Sequence, residues 1–285
     1  MLFRSPGVGK TFLAEQAAES LGIPFKRFDM SSYSDHQQHI ELIGFPPSFH
    51  AAKEGALTGF VSKNPHCMLL FDEIEKAHLN CIQLFLQILD AGILQDKFNG
   101  KNVPFRDTII IFTTNAGRQL YEGDSKSNCA GIPRKTILDA LETDVHPQTG
   151  KPFFPAAICS RLATGWPVMF NHLEPHHLER ISNGEFKRCA ELFEKQYNIK
   201  VESDDFLPTA LLFHEGGQTD ARIIRAQSEI FFKSEIFKLC RLFNAESFEK
   251  VVGNLDSIRF LVETKNLAEE VMKLFTCKDQ PEILL

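Results

Sequence analysis

Apolar and polar positions alternate along the first half of the chain in a way that predicts strands and helices in turn. Met1 to Phe3 read as the end of a strand. Arg4-Ser5-Pro6-Gly7-Val8-Gly9-Lys10-Thr11 then turns into a helix whose apolar positions are Leu13, Ala17 and Leu21, and Gly22 stops it. Residues 24 to 30 (PFKRFDM) predict a second short strand, and the polar, proline-containing stretch from Ser31 to Lys53 predicts a loop-rich surface segment. The continuous apolar run Cys67 to Phe71 fits a strand buried on both faces of a parallel sheet. The helix after it sets Ile82, Phe85, Leu86 and Leu89 at helical spacing. Asp107 to Thr114, rich in β-branched residues, is another buried strand that ends at Asn115-Ala116-Gly117. Strands alternating with helices give an α/β class, a parallel sheet sandwiched by helices.

Residues 118 to 152 mix polar clusters with a helical patch (Ile137, Leu138, Leu141), and Val168-Met169-Phe170 reads as the last strand of the sheet. Beyond Glu174 the pattern changes. Leu178, Ile181, Phe186, Cys189, Ala190 and Phe193 mark a long helix, Ile223, Ala226, Ile230 and Phe237 mark another, and Ser257 to Glu263 alternates like a strand. The expected organisation is a large α/β domain over 1–172, a smaller, mainly helical domain with a short β element over 173–265, and a terminal helix or linker over 266–285.

A length of 285 residues fits that division into about two domains. Lys plus Arg number 31 against 37 Asp plus Glu, a net charge of −6, so the basic excess that nucleic acid or an anionic membrane would favour is missing. No apolar run approaches the roughly 18 residues of a membrane span, and the start does not read as a signal peptide, which points to the cytoplasm. The 26 Phe against 3 Tyr and 1 Trp place most aromatic surface in cores. The seven cysteines, at 67, 81, 129, 159, 189, 240 and 277, form no CxxC pair and read as reduced core residues. The chain opens three residues before a glycine loop and closes on Glu-Ile-Leu-Leu, as a fragment of something longer would.

The glycine loop carries the strongest chemical signal. Successive backbone N–H groups around Gly7, Val8 and Gly9, at the positive end of a helix, suit a nucleotide phosphate; Lys10 adds a point charge and the Thr11 hydroxyl suits Mg²⁺. Pro6 and Phe12 flank this nucleotide-binding segment. The usual pattern is GxxxxGK[ST], and Arg4 stands where its first glycine would be. Asp72-Glu73, at the end of a buried strand about 60 residues downstream, supplies what such a loop lacks. One carboxylate holds Mg²⁺, partly through water, and the next polarises a water for attack on the γ-phosphate. Asn115, at the tip of the next strand, is placed to orient the same water.

These residues resemble the ATPase module of the AAA+ superfamily, in particular the second, C-terminal ATPase ring of the Clp/Hsp100 protein unfoldases. The resemblance is carried by Pro6-Gly7-Val8-Gly9-Lys10-Thr11, Arg27-Phe28-Asp29-Met30-Ser31, Leu42-Ile43-Gly44, Phe71-Asp72-Glu73-Ile74-Glu75-Lys76-Ala77-His78 and Phe105-Arg106-Asp107-Thr108-Ile109-Ile110-Ile111. It implies a P-loop NTPase fold with a helical lid. Asp72 and Glu73 match the Walker B pair and Asn115 the sensor-1 position. Arg161 matches the arginine that reaches a neighbouring subunit's γ-phosphate, although the segment Phe154 to Leu162 has one residue more than the family pattern. Arg222, in Asp220-Ala221-Arg222, matches sensor 2.

The same resemblance implies ATP and Mg²⁺ as cofactors, a protein substrate, and self-association as a homohexameric ring, without nucleic acid or membrane as partner. Its substrate-gripping loop is usually Gly-Tyr-Val-Gly after Pro-Pro; here Pro46-Pro47 is followed by Ser48-Phe49-His50-Ala51-Ala52. Phe49 is the candidate pore residue, with Phe45 or simple packing as rivals. His172, His176 and His177 flank a helix start with no Cys or carboxylate at ligand spacing, and read as helix-start residues rather than a metal site. The expected function is ATP-driven protein unfolding or remodelling. The alternative is a nucleotide-dependent assembly or regulatory module that threads nothing.

Overall fold

The computed structural model describes residues 2–3, 7–48, 50, 52–120, 129, 132–145, 150, 152–171, 173–203, 220–242, 248–254 and 259–264. Two compact units divide the chain, Met1–His172 and Leu173–Leu285. Among the described residues no helix is long and apolar enough to cross a membrane.

The first unit runs β1 (Leu2–Phe3), α1 (Lys10–Leu21), β2 (Phe25–Asp29), α2 (His39–Ile43), β3 (Gly44–Phe45), β4 (Lys53–Glu54), α3 (Thr58–Lys63), β5 (Met68–Asp72) and α4 (Leu79–Ala91). It continues with β6 (Ile93–Gln95), β7 (Asn102–Pro104), β8 (Ile109–Thr114), α5 (Arg134–Thr143), α6 (Ala156–Leu162) and β9 (Val168–Met169). Five strands form one parallel sheet in the order β2-β5-β8-β1-β9. Every residue of β5 is buried, as its unbroken apolar run requires. Its Phe71 ring lies 5.4 Å from Phe28 and Phe112 and 4.5 Å from Phe85, so one aromatic knot ties β2, β5, β8 and α4 together.

Two sequence expectations need correction here. In α1 the buried apolar residues are Ala14 and Ala18, while Leu13 and Leu21 are about half exposed. The helix lies against β5 and β8, and small side chains permit that approach while the larger ones point outward. The stretch 31–53 is also more ordered than a surface loop. Asp29 caps a 3₁₀ turn over Met30–Tyr33 by accepting from the Ser31 N–H at 3.0 Å, α2 buries Leu42 and Ile43, and β3 pairs antiparallel with β4.

A second antiparallel hairpin, β6 with β7, is bound to the first through Asp96. This carboxylate is 1% exposed. It accepts from the Gly55 and Phe98 N–H groups at 3.0 Å, from Asn99 N–H at 3.2 Å and from the Thr58 hydroxyl. Burial alone would push its carboxyl up; the hydrogen bonds from Thr58, Gly55, Asn99 and Phe98 outweigh burial and hold it below the ordinary carboxylate range.

The second unit contains α7 (Pro175–Tyr197), β10 (Lys200–Ser203), α8 (Ala221–Leu242), β11 (Phe248–Asn254) and β12 (Arg259–Thr264). The strands form a three-stranded sheet in the order β10-β11-β12, more β structure than the alternation over 257–263 alone indicates. Glu174 and His177 cap α7 reciprocally, with His177 Nδ1 accepting from the Glu174 N–H at 3.0 Å. Along α8 the buried stripe is Ile224, Ser228, Phe232, Ile236 and Leu239, whereas Ile223, Ile230 and Phe237 are exposed; the expected face is off by one residue. Polar groups join the two helices: Ser182 and Ser228 hydroxyls meet at 2.9 Å, and buried Glu185 accepts from Arg225 Nε at 2.8 Å.

Candidate functional site

Three adjacent strands of the parallel sheet, β5, β8 and β1, end at one edge, where ligands of α/β sheets bind. β1 leads into the glycine loop. Gly7 and Gly9 have φ of 82° and 92°, a region that penalises any side chain, and Gly9 directly precedes α1. Pro6 lies outside the described residues, as do Arg4 and Ser5. Val8 and Thr11 are half-buried, Phe12 is exposed, and Lys10 is 7% exposed.

The sheet brings five predicted residues together. Lys10 Nζ donates to Asn115 Oδ1 at 2.6 Å and to the Thr114 carbonyl at 3.1 Å. Thr11 Oγ1 donates to Asp72 Oδ2 at 3.0 Å. Asp72 is buried at the end of β5, and its other oxygen accepts from the Thr113 hydroxyl. Glu73 follows in the left-handed region at φ 57°, uncommon for a residue with a side chain. Its N–H donates to Thr113 Oγ1 at 3.0 Å, which anchors that turn to β8. Its carboxylate pairs with Lys76 Nζ at 2.5 Å, and this hydrogen bond raises the Lys76 pKa.

Two further residues enter the site without a role in the sequence reading. Arg27 places a guanidinium nitrogen 2.6 Å from Asp72 Oδ2, the oxygen that also takes the Thr11 hydroxyl. Glu75 accepts from Asn115 Nδ2 at 2.9 Å, the Asn115 N–H at 3.1 Å and the Thr114 hydroxyl at 2.7 Å. Arg27 lies two residues before Asp29 on one strand face, with Asp29 in register with Asp72, a pairing that the sequence alone does not mark. Glu75 sits in a 3₁₀ turn after β5, where no periodicity marks it. An open groove beside Asn115 is lined by Ser31, Ser34, Glu75, Lys76, Arg118 and Phe153.

The remaining candidates lie apart from this cluster or beyond description. Arg161, on α6, is exposed and pairs with Asp90 through two hydrogen bonds of 2.9 and 3.2 Å. Arg222 belongs to the second unit, where its N–H donates to Asp220 Oδ1 at 2.7 Å at the start of α8. Phe49 lies outside the described residues. Its rival Phe45 sits on β3 with Lys53 Nζ 5.7 Å from its ring centre, a surface cation–π contact. His172 is likewise outside the described residues, and His176 Nδ1 lies 3.3 Å from Glu174 at the start of α7.

The donor set fits a magnesium nucleotide: positive-φ glycines that open the backbone N–H groups of a loop, a buried ammonium, and a hydroxyl beside a carboxylate of the oxygen-only kind that Mg²⁺ selects. A family model described as AAA domain (Cdc48 subfamily) matches residues 1–163. A ClpA homolog protein of Fuscovulum blasticum is 48% identical over 118 residues, 41% of this chain and 15% of its own length. The ATP-dependent Clp protease ATP-binding subunit ClpE of Lactococcus lactis is 47% identical over 146 residues, 49% of this chain and 19% of its own. The chaperone protein ClpB of Corynebacterium glutamicum is 34% identical over 206 residues, 70% of this chain and 21% of its own. The chain thus spans about a fifth or less of the length of these relatives. A closed-state cryo-EM reconstruction of Hsp104 with ATPγS and FITC-casein superposes with a TM-score of 0.72 at 23% identity, over 92% of this chain and 44% of that one, which establishes a shared fold.

Proposed function

From a chain that belongs to the AAA domain family, Cdc48 subfamily, on its Clp/Hsp100 side, we propose an ATPase that hydrolyses ATP between subunits of a ring and uses the work to unfold or remodel proteins. The observation that carries this reading is the convergence of Lys10, Thr11, Asp72, Glu73 and Asn115 at the ends of β5, β8 and β1. The loop Pro6 to Phe12 would hold the phosphates. Thr11 and Asp72 would hold Mg²⁺, which when bound neutralises charge that develops on the phosphate oxygens.

Glu73 would take the proton of the attacking water, and Asn115, whose Nδ2 stands 3.5 Å from Glu73 Oε1, would orient that water. Arg161 would serve a neighbouring subunit. Its pair with Asp90 is solvent-exposed and weakened by water and salt, so leaving it costs little. Arg222 would report nucleotide to the second unit, and Phe49 would grip the extended client. A protein client accords with a relative named as a chaperone protein, and a hexameric ring with the resemblance to the Clp/Hsp100 unfoldases.

ATP turnover and particle mass of the full-length protein, with and without Glu73→Gln, test this reading. Turnover abolished by Glu73→Gln, with an ATP-dependent ring retained, supports it. Turnover that survives the substitution, or a protein that never assembles with ATP, overturns it. A protein that assembles with ATP yet never unfolds a tagged client is the regulatory module instead.

A further inference from the structure

Asn115 has only one amide orientation that its neighbours accept. Lys10 Nζ can only donate, so the atom 2.6 Å from it is the amide oxygen. Carboxylates at neutral pH only accept, so the amide nitrogen faces Glu75 at 2.9 Å and Glu73 at 3.5 Å. Glu75 also takes the backbone N–H of Asn115 at 3.1 Å and the hydroxyl of the preceding, fully buried Thr114 at 2.7 Å. Thr114 Oγ1 in turn accepts from the Ala116 N–H at 3.1 Å, so the backbone on both sides of Asn115 is tied to this one carboxylate.

We infer that Glu75 is the positioning residue of Asn115: it fixes the backbone and the amide plane at the tip of β8, and it holds the amide nitrogen off Glu73. The two carboxylates compete for the same N–H₂ group, and Glu75 wins by 0.6 Å, the difference between 3.5 and 2.9 Å. Without Glu75, Asn115 Nδ2 turns to Glu73 Oε1 and engages the carboxylate that has to face water. Glu75 touches neither nucleotide nor water in this scheme. Its effect therefore falls on turnover and not on ATP binding.

The inference rests on the ATPase reading, and the test separates the two. In the full-length protein, Glu75→Ala is expected to lower kcat by about 10- to 100-fold, the range for a misplaced reacting group, with KM for ATP changed less than about two-fold. Glu75→Gln keeps an oxygen for Asn115 and an N–H₂ for the Thr114 oxygen, and is expected to recover most of that loss. Asn115→Ala combined with Glu75→Ala is expected to be no slower than Asn115→Ala alone, since both remove one device. Wild-type levels of turnover in Glu75→Ala overturn the inference, and so do losses that add in the double variant or a Gln variant as slow as Ala. If Glu73→Gln leaves turnover intact, the ATPase reading itself has failed.

Discussion

Arg27 reaches across from β2 to Asp72 and sets its guanidinium nitrogen 2.6 Å from the same carboxylate oxygen that accepts the Thr11 hydroxyl. A cation of the chain thus stands at the oxygen proposed to hold a metal ion. Replacing it with Met keeps most of the stem and removes the charge. Arg27→Met is expected to shift the Mg²⁺ concentration for half-maximal ATP turnover downward by several-fold, since the guanidinium no longer competes for Asp72. A magnesium titration of turnover at saturating ATP checks this.

The aromatic knot predicts a large stability cost at one position. Phe71 is fully buried among Phe28, Phe85 and Phe112. Phe71→Ala is expected to cost about 3–5 kcal/mol, transfer and cavity terms together. Urea unfolding of the variant, followed by far-UV circular dichroism, measures it. Phe12→Ala, at a side chain 56% exposed, is expected to cost under about 1 kcal/mol in the same assay.

Asp96 predicts an acid limit. Its folded-state pKa lies below that of a free aspartate, so its contribution to stability is fully present above the free value and is lost as pH falls through the depressed one. Thermal midpoints taken from pH 6 to pH 3 should therefore drop in the most acid part of that range. Asp96→Asn should drop less there, having already lost about 2–4 kcal/mol at neutral pH by placing an amide N–H₂ against groups that donate.

Cysteine reactivity should follow burial. Burial pushes the Cys81 thiol up to about 12 and the Cys159 and Cys189 thiols up to about 11, and all three side chains are enclosed, whereas Cys240 is exposed on α8. Iodoacetamide at pH 8 on the native protein should modify Cys240 and spare Cys81, Cys159 and Cys189 until denaturant is added. Peptide mass mapping reads the result.

Arg161 and Asp90 separate surface pairing from function. Asp90→Ala breaks an exposed ion pair and should leave both thermal midpoint and turnover nearly unchanged. Arg161→Ala should leave ATP binding intact and reduce turnover at least about 10-fold if it completes a neighbour's site. Equal behaviour of the two variants would remove Arg161 from the catalytic scheme.

The parallel sheet was legible because β5 and β8 carry unbroken apolar or β-branched runs that no helix of that length would bury equally well. Asp72 and Asn115 were legible because they sit at the ends of strands so marked, and Lys10 because it follows the glycine loop at the start of α1. The face of α1 departs from the pattern because size does not set burial there: Ala14 and Ala18 lie inward where the helix approaches the sheet, and Leu13 and Leu21 do not; α8 carries large apolar residues on two faces, Ile224, Phe232 and Ile236 inward and Ile223, Ile230 and Phe237 outward, so its pattern does not choose between them. β11 escaped because a register shift between Phe248 and Lys250 breaks the two-residue alternation, leaving Phe248 and Val251, three apart, both buried. Arg27 and Glu75 act across strand pairs, a relation visible only once register is known.

The β3–β4 hairpin takes its anchorage from below. Gly55 and Thr58 bond Asp96, and the Lys97 N–H donates to the Ile43 carbonyl at 2.7 Å, all outside residues 46–52. That base works as a socket into which loops of different composition can be fitted. Replacement of residues 46–52 by the corresponding loop of a relative would alter what the hairpin meets without disturbing Lys10, Asp72 or Asn115. Under the proposed function, the loop that would meet a client and the residues that would hold nucleotide can therefore change independently within one chain.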